Sequence, residues 1–227
     1  MTVTLVTGAN KGIGYETVRL LVAAGHTVYA AARDEERGRR AAAELGARFV
    51  RLDVTDDASV AAAMKTVEAE QGRLDVLINN AGLGLESPTG PEALLVFDTN
   101  VVGVIRVTQA ALPLLRKSDH PVVVNLSSAL GSFHAVTDPE RPAFHVPSLV
   151  YGSSKAAVSM LTLQYAKTMP DITFNAVEPG YTDTDLTKDH PGGRSAEVSA
   201  QVVARVAMMG KDGPTGTFQE EDGILPW

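Results

Sequence analysis

The sequence predicts an α/β fold: one doubly wound parallel sheet of about seven strands with helices on both faces. Three observations predict it. Short apolar runs rich in β-branched residues alternate with helical patterns from one end of the chain to the other. These runs are apolar throughout, which is the pattern of strands buried on both faces. A glycine-rich turn joins the first run to the first helical segment, a place where the backbone must bend tightly.

Residues 3–6 read as a buried strand. Residues 13–24 are helical in composition and Gly25 closes them, as glycine does beyond a helix C-terminus. Residues 27–31 form the second strand, and the charged, Ala-rich helix 35–45 ends at Gly46. Residues 48–52 form the third strand. Thr55 or Asp56 can cap the helix that runs to Gln71, with Gly72 after it. Residues 76–79 form the fourth strand. Pro91 suits the first turn of a helix that continues, with breaks, to Lys117. A fifth strand at 122–126, a long helix at 149–169 and a sixth strand at 172–177 follow. Ser195 caps a last helix, and Thr217-Phe218 marks a short seventh strand.

The chain has 227 residues, 44% of them apolar, and no repeat or linker interrupts the alternation. One domain over residues 1–227 is the expectation. The net charge of −7 argues against a nucleic-acid or anionic-membrane binder. With no cysteine, disulfide scaffolds, thiolate zinc sites and cysteine nucleophiles are excluded. The five histidines, His190 among them, show no metal-ligand spacing, so no metal is expected. No apolar run approaches about 18 residues, so no membrane span is expected. The N-terminus lacks a basic leader, and a cytoplasmic protein is the expectation. No Gly-x-Ser-x-Gly elbow points to a serine hydrolase.

Thr7-Gly8-Ala9-Asn10-Lys11-Gly12-Ile13-Gly14 lies between the first strand and the first helix. Glycines there let a backbone approach a pyrophosphate, and a helix N-terminus offers free N–H groups. The Gly-x-x-x-Gly-x-Gly spacing differs from the common dinucleotide fingerprint and from a Walker loop. By itself it could simply reverse the chain. Further on, Tyr151 and Lys155 stand four apart on one helix face. A nearby ammonium favours phenolate and tunes a tyrosine for proton exchange with an alcohol or carbonyl oxygen. Tyr165 has no such lysine and reads as packing.

This glycine turn resembles the cofactor turn of the short-chain dehydrogenase/reductase family. Asn79-Asn80-Ala81-Gly82, Asn100, Ser128, Tyr151-x-x-x-Lys155 and Pro179-Gly180 match the family's later motifs in order, over residues 7–184. Ala9-Asn10-Lys11 and Arg33-Asp34 resemble the carbonyl reductase branch. The resemblance implies a Rossmann-type dinucleotide-binding and catalytic domain, with substrate loops near 129–147 and 181–194. It implies cofactor contacts from Gly8, Asn10, Lys11, Gly12, Ile13 and Gly14, then Arg33, then Asp53 and Val54 at the adenine. It adds Asn80, Ala81 and Gly82 along the ribose, Tyr151 and Lys155, and Pro179, Gly180, Thr182 and Thr184 at the nicotinamide. Basic residues at Lys11 and Arg33 imply NADPH in preference to NADH, because a base at the second strand's end accommodates the 2′-phosphate. Asp34 keeps NADH open as the alternative.

The same resemblance implies a catalytic set of Asn100, Ser128, Tyr151 and Lys155. Ser128 rather than Ser127 fits the family's Ser-x-x-Gly, with Gly131. The expected reaction is reduction of a ketone or aldehyde to an alcohol, with a small-molecule carbonyl or alcohol as partner. The alternatives are an NAD-dependent alcohol dehydrogenase working oxidatively and a non-catalytic NADP(H) sensor. A sugar-nucleotide epimerase needs a C-terminal substrate domain, and only 43 residues follow Thr184. The 23-residue step from Ser128 to Tyr151 is longer than the family's usual connection. That stretch could shape a lid or alter a subunit interface, so monomer, homodimer and homotetramer all stay open.

Overall fold

The computed structural model describes residues 1–85, 89–187, 192–210 and 213–227. His190 and the part of the second loop at 188–191 lie outside the described residues.

Strands β1 (Val3–Thr7), β2 (Thr27–Ala32), β3 (Arg48–Arg51), β4 (Val76–Asn79), β5 (Val122–Leu126), β6 (Thr173–Val177), β7 (Thr217–Glu220) and β8 (Gly223–Ile224) form one sheet. Their order is β3-β2-β1-β4-β5-β6-β7-β8, and every pairing is parallel except β7 with β8. Eight strands replace the expected seven. The extra strand is a two-residue return after Glu220. Gly223, at φ 131°, reverses the chain there, and a return that short leaves no apolar run to read in the sequence.

Side chains alternate between two cores, as the pleat requires. Leu5, Tyr29, Leu77 and Val123 enter one cluster. Val6, Val28, Ala30, Ile78 and Val124 enter the other. Helices α1 (Gly12–Ala23), α2 (Glu35–Leu45) and α3 (Asp57–Gln71) link the first four strands. Asp34 caps α2 by accepting from Arg37 N, and Asp56 caps α3 by accepting from Ala58 N and Ser59 N. Asp56, not Thr55, is therefore the helix-starting residue.

The region after Pro91 is α4 (Gly90–Phe97), a π-helical turn at Asp98–Val102 and α5 (Gly103–Leu115). Gly90–Leu115 is long and apolar enough to cross a membrane by length and composition alone. Its Val107, Ala111 and Leu115 are core residues of this fold instead. Next to the core, Asn79 donates to Thr108 and to Asn125, and Asn125 donates to Thr162. These buried amides lock β4 and β5 to the helices above them.

The long connection holds a 3₁₀ turn (Ala129–Gly131), α6 (Phe133–Thr137) and a second 3₁₀ turn (Pro142–His145), followed by α7 (Val150–Thr168). The C-terminal residues hold it down. Ser132 donates to Pro226 O, His134 N donates to Trp227 O, and Trp227 stacks on Phe218. Helix α8 (Ala196–Ala207), capped by Ser195, covers the other face. The strand order reverses between β1 and β4, which opens a crevice at their C-terminal ends.

Candidate active site

The glycine turn is anchored to the end of β4. Thr7 Oγ1 accepts from Asn80 N and Ala81 N at 3.0 Å each. Asn80 Nδ2 donates to Thr7 O at 2.7 Å and to Gly8 O at 3.1 Å. Gly8 lies at φ 66°, and a Cβ there would sit 2.9 Å from Ala81 Cα. A Cβ on Gly14 would sit 2.4 Å from Asn80 Nδ2. The backbone thus packs as tightly as absent side chains allow. Lys11, the residue before α1, gives that helix no side-chain cap. Its first N–H groups therefore remain open to an anion. This cradle fits a dinucleotide pyrophosphate.

At the end of β2, Asp34 is turned back to α2 and pairs with Arg37 at 2.8 Å. Arg33 is exposed and has no ion pair or hydrogen bond among the described residues. Asp53 accepts from Thr55 N and Thr55 Oγ1. Burial pushes its pKa up, but the hydrogen bonds from Thr55 and the positive charges of Arg33 and Arg51 outweigh that and hold it below the usual value. Val54 O is taken by Arg106, and the Val54 side chain lies against Gly103.

The segment after β4, the π-helical turn and the start of α7 bring Asn100 and Tyr151 to either side of Lys155. Lys155 is buried, donates from Nζ to Leu126 O at 2.8 Å, and lies 5.5 Å from the Tyr151 ring centre. Asn100, in the π-helical turn, accepts from Leu83 N at 2.7 Å and donates to Leu83 O and Ser154 Oγ. A Cβ on Gly82 would be 3.6 Å from both Asn100 Oδ1 and Lys155 Nζ, so these groups flank one glycine. The two serines after β5 separate cleanly. Ser127 Oγ is buried, donating to Lys155 O at 3.0 Å and bonded to Ser159. Ser128 Oγ accepts from Leu130 N at 3.3 Å and stays half-buried, with its proton available.

Comparison with known proteins gives the same answer as this geometry. Residues 2–194 match the family model of the short chain dehydrogenase. A short-chain dehydrogenase/reductase of Aspergillus fumigatus is 33% identical, across 99% of this chain and 97% of that protein. The chain is a short-chain dehydrogenase/reductase. (−)-Isopiperitenone reductase of Mentha piperita is 31% identical, across 97% of this chain and 96% of that protein. The NADPH-bound carbonyl reductase from chicken fatty liver superposes with a TM-score of 0.87 at 28% identity, across 100% of both chains. This short-chain dehydrogenase/reductase is accordingly an oxidoreductase that uses a nicotinamide cofactor on a small molecule.

The loop after β6 lies over the cradle of this dehydrogenase/reductase. Thr184 Cγ2 would be 3.4 Å from a Cβ on Gly12, and Leu186 packs over Gly84. Lys11 is ion-paired with Asp185 of the same loop. The structure therefore ties Lys11 to the loop, while Arg33 makes no ion pair or hydrogen bond among the described residues. Thr182 is buried, donating to Gly180 O at 2.7 Å and bonded to Ser199, so its hydroxyl holds the turn and only its backbone is left for a ligand. The long connection and the start of α7 border an open cavity of about 380 Å³ lined by residues that include Phe133, Phe144, Val146, Gly152 and Ala156. Tyr151 and Lys155 are not among its lining residues, but Gly152 and Ala156, which directly follow them, are. Sequence reasoning passed over three residues that build the site: Thr7, Ser154 and Glu178. Thr7 opens the glycine motif but was given no role, and Ser154 carries no local signal. An acidic residue directly before Pro179-Gly180 was the available hint for Glu178.

Proposed function

We propose that this short-chain dehydrogenase/reductase reduces a ketone or aldehyde to an alcohol with NADPH, with Tyr151 as the proton donor. The observation that carries the proposal is the buried ammonium of Lys155 beside the Tyr151 ring. Burial lowers the Lys155 pKa to about 8, against the opposing charge of Glu178.

The glycine cradle, with the open first turn of α1 at Gly12, Ile13 and Gly14, holds the pyrophosphate. Asn10, Lys11 and Arg33 take the 2′-phosphate side, and Asp53 and Val54 the adenine. Asn80, Ala81 and Gly82 give the ribose room, and Pro179, Gly180, Thr182 and Thr184 hold the carboxamide. The nicotinamide, when bound, supplies a hydride to the carbonyl carbon. Ser128 donates to the carbonyl oxygen and stabilises the charge that develops there. Tyr151 passes its proton to that oxygen, and the Lys155 ammonium stabilises the charge left on the phenol oxygen. Asn100 supports proton return towards Lys155.

A panel of aliphatic, aromatic and cyclic ketones, aldehydes and quinones, followed by loss of NADPH absorbance, tests the reading. Silence across the panel counts against it. Lys155 must be protonated for this role, and its pKa is lowered, so the ammonium is lost as pH rises through about 8. The reductive kcat is therefore expected to hold through neutral pH and fall above that value. A kcat profile still flat at high pH would contradict the role given to Lys155.

Arg33 carries the cofactor preference. Arg33→Ala is expected to weaken NADPH about 10- to 100-fold, the worth of a charge-assisted contact, and to leave NADH within about twofold. Fluorescence titration of both cofactors checks this, and equal losses would reject it. Lys11 can join Arg33 because its pair with Asp185 is exposed, and such pairs are worth about 0–1 kcal/mol.

A further inference from the structure

Glu178 follows the last residue of β6 and precedes the Pro179-Gly180 turn. Its backbone N donates to Gln219 O at 2.8 Å, which fixes it against β7. One carboxylate oxygen accepts from Gly180 N at 2.8 Å. The other accepts from Ala129 N, the residue directly after Ser128. One side chain therefore joins the turn after β5 to the turn after β6, and these two turns flank the catalytic cluster.

The charges facing this carboxylate come from three elements. Lys155 on α7 feels it as an attractive charge. Arg194, just before α8, opposes the rise that burial causes in the Glu178 pKa, and Glu220 on β7 adds to that rise. Arg194 also donates to Pro179 O, so the turn is held from its other side as well.

We propose that Glu178 is a positioning residue for the reduction. Its carboxylate staples the Ser128 turn to the Pro179-Gly180 turn and presents a negative charge to Lys155. A carboxylate can accept from both N–H groups at once, whereas a carboxamide in the same place turns an N–H donor towards one of them. The inference rests on the carbonyl-reduction reading, and the experiment keeps the two apart.

Glu178→Gln and Glu178→Asp are compared with the parent by amide hydrogen exchange and by kinetics, with thermal melting to confirm folding. In Glu178→Gln, the amides of Ala129 and Gly180 are expected to exchange at least about tenfold faster. The kcat is expected to fall about tenfold while KM for NADPH changes less than about threefold. The alkaline limb of the kcat profile is expected to move to lower pH, because Lys155 loses the charge that favours its protonated form. Glu178→Asp keeps the charge at shorter reach, so its limb should stay in place while the amides still loosen. Unchanged exchange at both amides, in either folded variant, overturns the staple. An unmoved limb in Glu178→Gln overturns the charge role. If the parent reduces no carbonyl compound, the carbonyl-reduction reading fails, and amide exchange still decides whether the staple exists.

Discussion

Tyr151→Phe is expected to lower kcat for carbonyl reduction by about 10³-fold, within the range that a positioned proton donor contributes. The substitution removes one oxygen and keeps the ring that lies 5.5 Å from Lys155 Nζ. Lys155 keeps its bond to Leu126 O, and Asn100 keeps its bonds to Leu83 and Ser154. NADPH affinity should stay within about threefold of the parent. Steady-state kinetics on any substrate found in the panel, with a cofactor titration on the same protein, checks both parts. Full activity would remove Tyr151 as the proton donor. A matching loss of NADPH binding would instead point to a cofactor defect.

Gly14→Ala is expected to have the largest effect on cofactor binding. The new Cβ would meet Asn80 Nδ2 at 2.4 Å and Gly8 O at 2.6 Å. Neither can yield alone, because Asn80 Nδ2 is bonded to Thr7 O and Gly8 O. The helix must move away from the turn, and the cradle opens. Overpacking of this kind costs about 1–3 kcal/mol. A fall in Tm of several degrees should follow, at about 2–4 °C per kcal/mol for a chain of this size. NADPH Kd should rise at least about 100-fold, because the open N–H groups no longer converge. Gly90→Ala is the control, since a Cβ there meets nothing within 4 Å. Normal NADPH binding by Gly14→Ala would reject the cradle.

Much of the fold was legible because its signals are local. Mainly apolar runs marked β1, β2, β4, β5 and β6, since strands buried on both faces need no alternation, while β3 with its exposed Arg48 and Arg51 and β7 with Gln219 and Glu220 gave shorter signals. Gly46 and Gly72 marked helix ends because they sit at φ 68° and 72°, which other residues rarely adopt. The two-residue β8 carried no such signal. The π-helical turn at Asn100 was equally hidden, because a single residue of excess winding leaves the apolar pattern of Gly90–Leu115 intact. For the candidate site, the sequence offered residue types in the family's order, but not the partner of each side chain. Ser127 and Ser128 are neighbours of the same type, and only the packing of α7 engages one and spares the other. Lys11 read as a phosphate contact, yet its partner here is 174 residues away.

The sequence by itself determined the α/β alternation and the glycine turn, and its resemblance to the family named Asn100, Ser128, Tyr151 and Lys155 as the set proposed here for catalysis. The first two are written in local patterns along a strand, a helix or a turn, and the third is what the resemblance implies. Tertiary structure alone decided that Asp34 turns back to its helix, that Thr182 is sealed against Ser199, and that Glu178 bridges to Ala129 across 49 residues. Those contacts follow from strand register and from how two turns meet above the sheet. No spacing along the chain encodes such a meeting, because it exists only after β5 and β6 have paired.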